Sequence, residues 1–231
     1  MSLEKEEIMP VVQTENLRKV YQDGTVAVNA LNGVDISIEK GEFTAIAGPS
    51  GSGKTTLLNL IGGLDTPSEG EILLEGRNIT KMSKTDLSKL RLRNLGFIFQ
   101  SYNLIPVLTA RENVEFVMLL QGEDKKTRLE KAEAILKEVG LEDCLHRRPD
   151  ELSGGQQQRV AVARAIVSEP KIVLADEPTA NLDSKTGEEL MELMQELNEK
   201  RGMTFLFSTH DRMVMDRARR LILLKDGKVA S

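Results

Sequence analysis

Gly48-Pro-Ser-Gly-Ser-Gly-Lys-Thr55, followed by Thr56, is the stretch on which the reading of this chain turns. It fits the pattern G-x-x-x-x-G-K-[ST], a loop whose backbone N–H groups surround phosphate oxygens. Its flanks fit as well: Phe43-Thr-Ala-Ile-Ala47 reads as a buried strand, and Leu57-Leu-Asn-Leu-Ile61 as the first turns of a buried helix. Gly48, Pro49, Ser50, Gly51, Ser52 and Gly53 would form the cradle, with the helix N-terminus adding a field that favours anions. Lys54 would reach the β- and γ-phosphates, and the Thr55 hydroxyl would ligate Mg²⁺. A chain of this length meets the pattern by chance with a probability on the order of 1%. The flanking strand and helix lower that further, so the stretch is read as a nucleotide site.

Composition bounds the rest. The chain has 231 residues, 40% apolar and 29% charged, which describes an ordinary globular protein with a core. Aromatics are 3% with no Trp, too few for base-stacking platforms, and the net charge of −5 opposes a broad basic nucleic-acid face. The single cysteine, Cys144, excludes an internal disulfide framework. Met1-Ser-Leu-Glu-Lys-Glu-Glu-Ile8 is charged where a signal peptide is apolar, and no run approaches the roughly 18 apolar residues of a membrane span. The expectation is a cytosolic protein with any membrane role supplied by a partner.

Along the chain, Val11 to about Gly41 alternates polar and apolar residues, as half-exposed antiparallel strands do. Glu71–Gly76 and Leu95–Gln100 read as further strands. Thr127–Gly140 and Gln156–Ser168 read as helices, as does the segment carrying Leu190, Leu193, Met194 and Leu197 and ending near Gly202. Lys171–Asp176 and Phe205–His210 read as buried strands, and Leu221–Val229 as a hairpin about Asp226-Gly227. Strands alternating with helices indicate an α/β core with a mostly parallel sheet. Four strands end at Gly48, Gln100, Asp176 and His210, and open α/β sheets bind ligands beyond such ends.

Two more stretches carry chemistry. Ile172-Val-Leu-Ala-Asp176-Glu177 is an apolar strand followed by two acids: Asp176 is placed to hold Mg²⁺ through water, and Glu177 to polarise the attacking water. Leu152-Ser-Gly-Gly-Gln156 opens a helix with Ser153, Gly154 and Gly155, a second N-terminus suited to anions. A capped helix start accounts for the serine but not for the paired glycines.

With these residues assembled, the chain resembles the nucleotide-binding domain of ATP-binding cassette (ABC) proteins over nearly its whole length. Gly48–Thr55 matches the Walker A loop, Gln100 the Q-loop glutamine, Leu152–Gln156 the family signature, and Asp176 and Glu177 Walker B with its catalytic glutamate. Asn181-Leu182-Asp183 matches the D-loop, His210 the switch histidine, and Tyr21 the aromatic that stacks on adenine. The wording of Asn103–Asn113 and Asp176–Asp183 is closest to the subfamily serving lipoprotein release and macrolide or peptide export.

The resemblance implies a phosphate-loop NTPase core with an antiparallel β subdomain and an inserted α-helical subdomain. Residues 10–86 and 171–231 would form the core and β layer, and 87–170 the helical and signature part, all in one ABC ATPase domain spanning 1–231. It implies an ATPase using ATP and Mg²⁺, with Glu177, His210 and Lys54 catalytic and Thr55, Gln100 and Asp176 at the metal. It also implies an ATP-dependent head-to-tail homodimer, in which Ser153, Gly154, Gly155, Gln156 and Asp183 of one subunit meet the nucleotide held by the other. Gln100 would relay the state of that site to a transmembrane permease, placing the chain on the inner face of the membrane. With so few residues after the last hairpin, the regulatory domain that some importers append is not expected.

Three alternatives are weaker. A DNA-acting ATPase would carry a coiled coil between residues 48 and 153, and no sustained heptads occur there; ribosome-acting relatives carry two cassettes. A non-hydrolysing regulatory module is opposed by Glu177, His210 and the intact signature. A role tethering a membrane partner to the cell-division machinery is the alternative kept.

Overall fold

The computed structural model describes residues 9–23 and 26–230, so the charged stretch Met1–Ile8 lies outside the described residues. The chain opens with two long strands, β1 (Val12–Asp23) and β2 (Val26–Ile38), then the short buried β3 (Phe43–Ala47). Helix α1 (Lys54–Ile61) follows, with strands β4 (Glu69–Leu74) and β5 (Arg77–Asn78). Next come α2 (Lys84–Asn94), β6 (Leu95–Ile98), α3 (Ala110–Gln121), α4 (Lys125–Glu138) and α5 (Gly154–Ile166). The chain closes with β7 (Ile172–Asp176), α6 (Ser184–Arg201), β8 (Phe205–Thr209), α7 (Arg212–Arg217), β9 (Arg220–Lys225) and β10 (Lys228–Val229).

The strands form two sheets. One is antiparallel in the order β2-β1-β4-β5, and the other runs β10-β9-β3-β8-β7-β6. In the second, β9, β3, β8, β7 and β6 are all parallel, and only the hairpin partner β10 runs against them. This is the mixed architecture that the strand and helix patterns predict.

The central strands are apolar on both faces, as parallel strands covered on both sides must be. Because side chains alternate along a strand, each contributes to two cores. Phe43, Ala45, Val173, Ala175, Phe205 and Phe207 face one core with Leu190, Met191 and Met194 of α6 and the buried residues of α3, α4 and α5. Ile46, Leu174, Leu206 and Ile222 face the other, with Leu57, Leu60 and Ile61 of α1 and the inner face of β1, β2 and β4. Helix α1 is thus enclosed between the two sheets, which fixes the phosphate loop that precedes it. In the first core the rings of Phe43 and Phe207 sit 4.7 Å apart and tilted at 60°, a geometry adding about 0.5–1.5 kcal/mol beyond area burial.

Parallel register places the carboxyl ends of four strands along one edge. Ala47 lies beside Thr209, Asp176 beside Ser208, and Ile98 beside Ala175. Gly48, His210, Glu177 and the loop through Gln100 therefore leave the sheet at the same edge.

Candidate nucleotide site

A cleft of about 570 Å³ opens at that edge. Ser50, Gly51, Gly53, Lys54, Thr55 and Thr56 form its floor, and Gln100, Glu177 and His210 one wall. Tyr21, Val28, Asn29 and Ala30 of the antiparallel sheet form the opposite wall.

The loop's glycines have measurable causes. A Cβ at Gly48 would stand 2.0 Å from the Leu224 carbonyl oxygen, so no side chain fits where the loop crosses the β9–β10 hairpin. Gly53 has φ 102, and a Cβ there would lie 2.4 Å from the Ala30 oxygen. Lys54 is buried although charged, and its amine donates to the carbonyls of Gly48 (2.8 Å) and Pro49 (3.1 Å). The cation is held inside the loop, where a phosphate would meet it.

Thr55 begins the exposed side of α1, and its hydroxyl donates to Asp176 Oδ1 at 3.0 Å. Ser208 donates to the same oxygen at 2.6 Å. A hydroxyl and a carboxylate sharing a contact are hard oxygen donors suited to Mg²⁺, which takes one or two protein ligands and completes its shell with phosphate oxygens and water. Among the described residues there is no group of three or more His, Cys, Asp or Glu that could hold a metal ion. Gln100 reaches the cleft from the loop after β6.

Glu177 follows β7 with φ 47, a left-handed turn that swings its carboxylate out of the strand line and toward β8. His210 Nδ1 stands 2.6 Å from Glu177 Oε1. The acid is mostly shielded, with 14% of its side chain exposed against 67% for the imidazole, so the histidine caps it from solvent.

Tyr21 projects from β1 with its hydroxyl donating to Asp65 Oδ2 at 2.8 Å, while Lys19 Nζ lies 4.8 Å from the ring centre. Burial and then the bond to Asp65 push the phenol's pKa up, and a hydrogen bond with Thr56 opposes them. Asp65 is the tether that sequence reasoning missed, since it lies 44 residues away and carries no motif. Ser208 was missed for the same reason.

The signature residues stand elsewhere. None of Ser153, Gly154, Gly155 or Gln156 lines the cleft, and neither does Asp183. Ser153 caps α5: its hydroxyl accepts from the Gln156 N–H, and Gln156 Oε1 accepts from the Ser153 N–H at 3.0 Å. The Gln156 side chain is thus turned back on its own helix. The paired glycines, which capping did not explain, have a packing cause within the chain. A Cβ at Gly155 would lie 2.5 Å from Thr186 Cγ2, and one at Gly154 would lie 3.0 Å from the Tyr102 hydroxyl. Asp183 caps α6, accepting from the Thr186 N–H and hydroxyl, and these bonds hold its carboxyl below the usual range.

The ABC transporter family matches residues 31–180. The chain belongs to that family. An uncharacterized ABC transporter ATP-binding protein of Thermotoga maritima is 48% identical over 95% of this chain and 93% of its own length. The macrolide export ATP-binding/permease protein MacB of Brucella melitensis is 46% identical over 96% of this chain, which spans 34% of that longer relative. Among solved structures, the ATP-binding cassette MJ0796, dimeric in a post-hydrolysis state with ADP and Pi, is similar with a TM-score of 0.88. It shares 45% identity over 95% of this chain and 97% of that one. This cassette is an ABC ATPase, and among the described residues no helix is long and apolar enough to cross a membrane.

Proposed function

We propose that this cassette is the ATP-hydrolysing subunit of an export or lipoprotein-release transporter, working as a head-to-tail homodimer on a permease. The observation that carries the reading is the separation of two phosphate-suited surfaces. The cleft holds Lys54, Thr55, Glu177 and His210, while the Ser153–Gly155 helix start is not part of its lining. A second copy would bring its signature over the cleft of the first. The dimeric solved relative and the permease-fused MacB proteins support such an assembly.

In this mechanism the loop amides and Lys54 bind the β- and γ-phosphates, and Tyr21 stacks on the base with its ring held by Asp65. Thr55 and Asp176, with Gln100 beside them, would hold Mg²⁺, which when bound neutralises charge developing on the phosphates. Glu177 accepts a proton from, or orients, the attacking water, and His210 holds that carboxylate in place. Ser153 and the Gly154 and Gly155 amides of the partner copy would complete the phosphate contacts, and closing excludes water. Asp183 and Gln156 act there through the caps they form.

A groove of about 540 Å³ between α2, β6, α3 and α5 would receive a permease segment. Leu64, Leu92, Phe97, Phe99 and Leu120 make it apolar, and exposed Phe116 and Leu119 extend it along α3. The protein would then work at the inner face of a membrane without entering it. MgATP turnover measured against protein concentration tests the assembly. Activity per chain should rise as concentration drives dimerisation, and a constant specific activity for a species that stays monomeric would refute it.

A further inference from the structure

Arg164 of α5 has no carboxylate partner among the described residues. Its two terminal amines instead donate to the carbonyls of Asn103 (2.6 Å) and Tyr102 (2.8 Å), in the loop that follows Gln100. Burial disfavours its charged form, and two charge-assisted bonds offset that cost.

The loop it grips is unusual. Tyr102 and Asn103 are consecutive non-glycine residues in the left-handed region, at φ 59 and φ 50. Asparagine tolerates that region, whereas tyrosine has no local side-chain bond to stabilise it. A loop so shaped persists where its surroundings over-determine it. Two side chains do so here: the Arg164 fork on the Tyr102 and Asn103 carbonyls, and Asn181 Nδ2 donating to the Gln100 carbonyl at 2.9 Å. Gln100 lines the nucleotide cleft, while Phe99, Asn103 and Arg164 itself line the apolar groove.

We propose that Arg164 is the positioning residue for Gln100, its guanidinium fork holding the 101–103 loop in the left-handed shape that delivers the glutamine to the cleft. The groove and the cleft thereby share one element, and a segment seated against Arg164 would bear on Gln100. The planar guanidinium presents its two terminal amines in a rigid fork, whereas a lysine amine is a single rotating donor on a flexible stem that fixes the two carbonyls less firmly. The proposal rests on the reading of Gln100 as a residue of the metal and water site.

The experiment measures kcat, KM for ATP and the Mg²⁺ requirement in the full chain for Arg164→Met, Gln100→Ala and their double variant, with Tm alongside. Arg164→Met keeps the unbranched stem and removes the fork. It should lower kcat by about tenfold and raise the Mg²⁺ requirement while leaving KM for ATP near the wild-type value. The double variant should be no slower than Gln100→Ala alone. Adding Tyr102→Gly to Arg164→Met should restore part of kcat, because glycine adopts the left-handed turn without the fork. Should Arg164→Met fail to fold, Arg164→Lys carries the same comparison with a smaller loss. Losses that multiply in the double variant, or no rescue by Tyr102→Gly, would overturn the proposal. Wild-type turnover in Gln100→Ala would instead overturn the reading of Gln100 on which it stands.

Discussion

Glu177 and His210 form one unit: the imidazole Nδ1 and the carboxylate Oε1 are 2.6 Å apart, and the exposed histidine covers the shielded acid. A carboxylate accepts, so the imidazole donates to it from Nδ1. Removing the imidazole frees the acid to rotate and opens it to water. His210→Ala should lower kcat by about tenfold to a hundredfold with little change in ATP affinity. Steady-state kinetics beside equilibrium ATP binding check this, and a loss confined to KM would place His210 in binding alone.

Ser153 stands outside its own chain's cleft, at the N-cap of α5. Ser153→Arg should abolish turnover by obstructing the partner's nucleotide, while the monomer binds ATP as before. Calorimetric titration at a concentration too low for dimerisation separates these effects. Weaker ATP binding by the monomer would contradict a two-subunit site.

Gly53 and Gly51 offer a graded test of the loop. A Cβ at Gly53 meets the Ala30 oxygen at 2.4 Å with φ 102, whereas Gly51, at φ 77, has open space around it. Gly53→Ala should cost about 3 kcal/mol, lowering Tm by roughly 6–12 °C and removing ATP binding. Gly51→Ala should cost about 1 kcal/mol, the left-handed strain alone. Equal melting shifts would show that the contact with Ala30 does not constrain the loop.

Asp65 ties Lys19 and Tyr21 together. Burial pushes its carboxyl up, but hydrogen bonds from Lys19, Tyr21 and the Thr66 N–H outweigh it, and the folded value lies below the ordinary 3.8. Its stabilisation is therefore fully present above 3.8 and lost as pH falls through the lower folded value. The Tm gap between wild type and Asp65→Asn should hold above about pH 5 and close in stronger acid. A gap that persists unchanged would show that the carboxylate's charge does not contribute.

Much of this was legible in the sequence because the central strands are short continuous apolar runs. Phe43–Ala47, Ile172–Asp176 and Phe205–Thr209 are almost wholly buried, and each leads into a functional residue. Helices α2 and α3 were not individually legible. In α2 only Leu90 is buried, so no apolar stripe marks the helical period. In α3 the buried Val114 and Met118 share the helix with exposed Phe116, Leu119 and Leu120, which blurs the period. Its start did carry a signal, the Thr109–Glu112 capping box. Motif reading found residues that line the cleft but not those holding them, because Asp65, Arg164 and Ser208 act by long-range contacts without a local pattern. Asn181 lies in a stretch that the motifs do mark, but its bond to the Gln100 carbonyl, 81 residues away, is a contact that no motif announces.

The most direct test of the central claim is the size of Glu177→Gln with and without MgATP, measured beside its steady-state hydrolysis. The amide keeps the shape of the side chain and cannot take the water's proton. A shift from monomer to dimer that appears only with MgATP, with turnover reduced by at least about a hundredfold, is the predicted result. Hydrolysis by Glu177→Gln at the wild-type rate would contradict the account.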